Sequence, residues 1–232
     1  MQISRKHTQW LGAFFILVML SWYIGYALLS PVLEDPNYIT NLTANRSIIS
    51  IGVLFELVQI ALVLGIAVLA FPIIKYYKSS LGFAYISYRV FESIMLLVAA
   101  MCPLILISLS EEFHNSGAVE RLEFSTMGYL LLELRNHWSV YVLAFFHPLA
   151  ALILYFVLYK LKLVPNFISL WGLLAAFLLL IDQVIFESFG LGIGRISGNP
   201  ITGIPMGLNE IVLGLWLVFK GLRTPGQSDA ST

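Results

Sequence analysis

Residues 47–74 read SIISIGVLFELVQIALVLGIAVLAFPII, and the fold turns on what this run of 28 residues does. Its apolar residues do not alternate with polar ones as in a half-buried strand, and Glu56 is its single charged side chain. A helix climbs about 1.5 Å per residue and the hydrocarbon of a bilayer is about 30 Å thick, so roughly 20 such residues cross it. The run reads as a transmembrane helix. Working outward, the same reading applies to residues 10–30, 81–109, 138–160, 167–189 and 204–222, giving six spans in a single membrane domain over 1–232. Composition points the same way: 59% of the chain is hydrophobic and 11% is Asp, Glu, Lys or Arg, where a soluble domain carries about 25% charged residues. The expected fold is an all-α integral membrane bundle of six transmembrane helices.

The formal net charge is zero, which argues against a nucleic-acid partner. Cys102 is alone inside an apolar run, which excludes an intrachain disulfide framework and a multi-cysteine metal site. The first span follows Arg5 and Lys6 as a signal peptide would, but its apolar stretch is about twice too long and no A-x-A site follows, so it reads as a retained helix.

Basic residues near span ends are held on the cytoplasmic side. Arg5, Lys6, Lys75, Lys78, Lys160, Lys162, Lys220 and Arg223 fall on one set of alternating segments, and Arg46, Arg121, Arg135 and Arg195 on the other. Both termini are expected in the cytoplasm, with the chain in the plasma (inner) membrane. The largest connection, 110–137, sets Met127, Leu130, Leu131 and Leu134 at helical spacing. Part of it is expected either along the outer membrane surface or as an ordinary amphipathic turn packed on the bundle.

Glu56, Glu92, Asp182, Glu187 and Glu210 lie inside spans, joined by Arg89 and His147. Each charge at a helix centre costs about 2.5–3.5 kcal/mol on insertion scales. Left bare, these acids and Arg89 would outweigh the whole stability of a typical domain, about 5–15 kcal/mol. They must be paired, protonated, hydrated or bound to something. Counted from the outer ends of the spans, Glu56 and His147 lie about 13 Å deep and Asp182 and Glu210 about 9–10 Å deep, with Glu92 near midspan. Arg89 and Glu92, three residues apart, share a helix face with Tyr85 and Tyr88 beside them. Glu56 shares a face with Gln59, and Gln183 with Glu187, while Asn209 adjoins Glu210. The expectation is one shared chamber in the outer half of the bundle. In it Arg89 fixes Glu92, the acids Glu56, Asp182 and Glu210 titrate or face a ligand, and His147 exchanges protons. Gln59, Tyr88, Gln183 and Asn209 support them, and Glu187 is the member nearest the outer interface.

Such a chamber would bind a small polar or cationic ligand or relay protons, in a transport-like or sensing role rather than an enzymatic one. An intramembrane metal-dependent hydrolase is one alternative, drawing its ligands from His147, Glu56, Asp182 and Glu210. No HExxH motif and no second intramembrane histidine accompany that set. A non-catalytic assembly or regulatory subunit, using the same groups as a structural network, is the other. The spans hold no lysine at mid-depth for a Schiff base, and G-x-S-x-G and P-loop motifs are absent, so the cofactor is left open. Besides the lipid bilayer, a small polar ligand and a second copy of the chain are the partners left open.

Four stretches carry a likeness to a known family: Arg46 to Gly52, Tyr88-Arg89-Val90-Phe91-Glu92, Val164-Pro165, and the closing Asn209-Glu210 with Trp216 and Lys220-Gly221. Over nearly its whole length the chain resembles a bacterial membrane-protein family known as domain of unknown function 4386. The resemblance implies a six-helix bacterial membrane protein and brings no activity or catalytic residue with it.

Overall fold

The structure is a computed structural model that describes residues 4–182 and 200–223. Among these residues all regular structure is helical. The order is α1 (Arg5–Leu33), α2 (Tyr38–Asn41), α3 (Arg46–Tyr77), α4 (Ser79–Asn115), α5 (Ala118–Glu133), a π-helical turn (Leu134–Trp138), α6 (Ser139–Lys160), α7 (Asn166–Ile181) and α8 (Pro200–Phe219). Four helical stretches among the described residues are long and apolar enough to cross a membrane: α1, α3, α4 and the run Ala118–Lys160. Helix α7 and Gly203–Phe219 of α8 are shorter apolar helices.

The longer helices close into a ring. Helix α1 packs on α3 and α8, α3 on α4, α4 on α6, α6 on α7, and α7 on α8. Leu11, Phe15, Ile66, Ile73, Leu154 and Leu213 build the main core, and Leu29, Leu42, Ile49 and Leu106 a second one. The outside is as oily as the inside: Val68, Phe83, Leu174 and Phe219 are each at least 60% exposed. Helices that are apolar all round belong in a medium that is itself apolar.

Three contacts gather the basic residues at one end. The Arg5 guanidinium donates to the Lys220 carbonyl at 3.1 Å, His7 Nε2 to the Leu69 carbonyl at 2.7 Å, and the Arg223 amide to the Leu163 carbonyl at 2.8 Å. The start of α1, the end of α3, the α6–α7 turn and the end of α8 therefore lie side by side, and Lys6, Lys75, Lys78, Lys160 and Lys162 sit on those segments.

Two boundaries differ from the sequence reading. Residues 110–137 are mostly helix: α4 continues to Asn115, Gly117 is extended, and its amide donates to Glu120 at 3.0 Å to start α5. Met127 and Leu130 are exposed on α5 while Leu131 packs on the second core. The last helix stops at Phe219 instead of 222, because Gly221 adopts a φ of 78° and the Lys220 and Gly221 amides both turn back to the Trp216 carbonyl. The end of the fifth span, with Gln183 and Glu187, and Arg195 beyond it lie outside the described residues.

Helices α1 and α8 meet backbone to backbone. A Cβ on Gly12 would stand 2.5 Å from the Gly214 carbonyl oxygen and 2.8 Å from Leu217 Cβ, whereas one on Gly203 would meet nothing within 4 Å. Gly12→Ala is therefore expected to destabilise by about 1–3 kcal/mol through overpacking. Gly203→Ala is expected to be neutral or to stabilise by up to about 1 kcal/mol through helix propensity. Thermal unfolding followed by circular dichroism checks both, and matching shifts for the two variants would contradict the contact.

Candidate functional site

The ring encloses a charged group supplied by three helices. On α4, Arg89 and Glu92 are 2% and 4% exposed. Arg89 Nη1 donates to both Glu92 oxygens, at 3.1 and 2.9 Å, and its Nε donates to the Tyr85 hydroxyl at 3.3 Å. The i,i+3 spacing makes the ion pair local to one helix, and Tyr85, one turn earlier, lays its ring 5.5 Å from the guanidinium carbon. Ser93 donates back to the Arg89 carbonyl at 2.8 Å.

Helix α6 brings His147 against this pair. Its Nδ1 is 3.0 Å from Glu92 Oε1 and 3.4 Å from Arg89 Nη1. A guanidinium can only donate, so the shorter contact, to an acceptor, assigns an Nδ1–H donated to Glu92. The other ring nitrogen, Nε2, then faces α8, where Glu210 Oε1 is 3.7 Å away and the residue is 4% exposed. Arg89 and an ionised Glu92 cancel. His147 and Glu210 together need one proton to be neutral, held either on Nε2 or on the carboxyl. In both arrangements the four groups sum to zero, which lets them stay buried without the cost of a bare charge. Tyr155 lies within electrostatic reach of Arg89 and Glu210, and its buried hydroxyl has no hydrogen-bond partner among the described residues.

Glu56 is elsewhere. Both terminal nitrogens of Arg135, in the π-helical turn, donate to its carboxylate, Nη1 to Oε2 at 3.2 Å and Nη2 to Oε1. Arg135 Nη1 also donates to the Ala99 carbonyl of α4 at 2.6 Å. That carbonyl is free for a definite reason: the residue four later is Pro103, which has no N–H to return to it. Beside the pair opens a cleft of about 340 Å³ between α1, α3, α4 and the π-helical turn, with Trp22, Tyr26, Glu34 and Gln59 on its walls.

The polar groups thus form two centres, one on Arg89, Glu92, His147 and Glu210 and one on Glu56, Gln59 and Arg135. Asp182, just past α7, is buried. Asn209 ties α8 to α7 by donating to the Ile168 carbonyl at 3.0 Å. Tyr88 turns its ring to Phe146, 6.2 Å between centroids, so Tyr85 is the tyrosine on Arg89. Gln183 lies outside the described residues. Arg135, which the sequence reading leaves in an outer connection, is the functional residue that reading misses. Its signals were Glu56, an acid without a partner, and Pro103, which vacates a carbonyl. No three His, Cys, Asp or Glu among the described residues are grouped as metal ligands, and Glu56 is engaged by Arg135 instead of joining His147. The hydrolase alternative has no ligand set there.

Neither a curated protein nor a solved structure matches the chain. The family model of a domain of unknown function (DUF4386) does match, over residues 10–221 and hence across both polar centres, and the chain belongs to that family.

Proposed function

We propose that the chain is a six-span bacterial plasma-membrane protein with both termini in the cytoplasm, and that its central group takes up and releases protons in a transport-like or sensing cycle. The orientation is supported by the basic residues gathered at one end of the ring. The proton reading is carried by one observation: His147 is held between two carboxylates, of which Arg89 engages one and leaves the other to the imidazole.

Arg89 positions Glu92, and Glu92 fixes the tautomer of His147 by accepting from Nδ1. The Nε2–Glu210 gap of 3.7 Å exceeds a direct hydrogen bond, so a proton crosses when the side chains close by roughly 0.5–1 Å or a water enters. Moving the proton between Nε2 and Oε1 changes no net charge. Adding a second proton makes the group cationic, and in a medium of low dielectric that charge drives either release or a rearrangement of the helices around it.

Infrared difference spectra of the reconstituted protein between about pH 5 and about pH 8 test this. A deuterium-sensitive carboxyl band is expected, lost in Glu210→Gln and altered in His147→Gln, and retained in Glu56→Gln. A band untouched by Glu210→Gln would rule out the assignment. A structural lock is the second reading, favoured by the near-complete burial of Arg89 and Glu92. It predicts loss of folding in Glu210→Gln in place of loss of the band.

A further inference from the structure

Glu210 has more than His147 around it. Tyr155, on α6, is 1% exposed, and its hydroxyl has no hydrogen-bond partner among the described residues. Its ring fills the space that a Cβ on Gly172 of α7 would need, which fixes the phenol against that helix. Tyr85, on α4, is fully buried. Its oxygen accepts from Arg89 Nε at 3.3 Å, and its own hydrogen finds no acceptor among the described residues. Both tyrosines lie within electrostatic reach of Glu210, and Tyr155 within reach of Tyr85. The Glu210 carboxyl in turn makes no hydrogen bond to a described residue, its contact with His147 Nε2 standing at 3.7 Å. The helices that flank α8 bring no further charge: α7 has no titratable side chain, and α1 carries its charged and imidazole groups in its first turn, as Arg5, Lys6 and His7. Two hydroxyl hydrogens without acceptors and one carboxyl without donors thus share a single buried neighbourhood. Where a direct bond is out of reach, buried groups of this kind are joined by a water that bonds several of them.

We propose that a water bound between Tyr155, Tyr85 and Glu210 makes the two tyrosines positioning residues for the shared proton. The inference rests on the His147–Glu210 exchange proposed above. The hydroxyls donate to the water oxygen and the water donates to the carboxylate, which favours the ionised form of Glu210. The proton that His147 and Glu210 share therefore rests on Nε2. When the Tyr155 hydroxyl is withdrawn, the same proton passes from Nε2 to Oε1, the N–H bond breaking as the O–H bond forms, with no change in total charge. Tyr155 thus sets which of the two partners is protonated.

The test is infrared spectroscopy of the reconstituted protein at about pH 8. It compares wild type with Tyr155→Phe, which removes the hydroxyl and keeps the ring on Gly172. A protonated-carboxyl band is expected in Tyr155→Phe and lost again in Tyr155→Phe, Glu210→Gln. It is expected to be absent from wild type and from Tyr88→Phe, whose ring turns to Phe146 instead. No band in Tyr155→Phe, or one that survives Glu210→Gln, overturns the inference. Thermal unfolding is a readout independent of the exchange. Its midpoint is expected about 2–4 °C lower in Tyr155→Phe, as for a lost hydrogen bond. A buried hydroxyl with nothing bound to it only costs stability, so a raised midpoint would overturn the water. If the band that forms between about pH 8 and about pH 5 outlasts Glu210→Gln alone, the proton reading fails, and the unfolding midpoint still decides the bridge.

Discussion

Arg89→Met is expected to destabilise the folded protein by about 3–5 kcal/mol, the range for removing one partner of a buried ion pair. The cost arises less from the lost attraction than from what is left behind. Glu92, 4% exposed, keeps a carboxylate with no cation on its own helix, and the Tyr85 hydroxyl loses the donor at 3.3 Å. The double variant Arg89→Met, Glu92→Met removes both charges and fills their volume with apolar atoms, and on that ground alone would be close to neutral. It strands the His147 Nδ1–H, however, at a further cost of about 1–3 kcal/mol for a buried donor without an acceptor. The expected order of unfolding midpoints is therefore wild type, then double, then single. A single variant as stable as the double would mean that Glu92 finds another cation, and the four-group description would have to change.

The second large effect concerns Arg135. Its side chain and that of Glu56 are 12% and 18% exposed, so Arg135→Met is expected to cost about 3 kcal/mol, the low end of the buried range. Two orphans result, the Glu56 carboxylate and the Ala99 carbonyl. The second has a specific remedy: Pro103→Ala restores an N–H four residues along α4, able to close the helical bond that proline denies. In the Arg135→Met background this change is expected to recover stability, whereas in the wild type it competes with the guanidinium for the same oxygen and gains less. The coupling between the two sites should be about 0.5–3 kcal/mol in a double-mutant cycle read by denaturant unfolding. Strictly additive effects would show that Arg135 does not serve the carbonyl.

The pairing of Arg89 with Glu92 is legible in the sequence because it is local, three residues on one helix. Four of the apolar runs are legible because hydrocarbon thickness sets a minimum length that they reach and that α7 and Gly203–Phe219, among the described residues, do not. Depth also suggests that His147 and Glu210 lie at comparable heights. Height along the bundle says nothing of direction around it, however, and that is why one imagined chamber becomes two centres. Glu56 looks toward α1 and the π-helical turn, where Arg135 arrives from 79 residues away. No spacing rule reaches that far. The wide turn that aims Arg135 inward depends on the continuous run from Ala118 to Lys160, which a reading of 110–137 as a connection does not contain.

The closed ring also bears on how the protein is made. Helix α8 seals the gap between α1 and α7 and carries Glu210, so the central group stays incomplete until the ribosome has delivered more than two hundred residues. During that interval Arg89 and Glu92 are already neutralised by each other, in the same turn of the same helix. His147 waits with the side that Glu210 will face still open. A chain stalled or clipped before α8 would leave that imidazole without its second carboxylate, in a bundle open between α1 and α7.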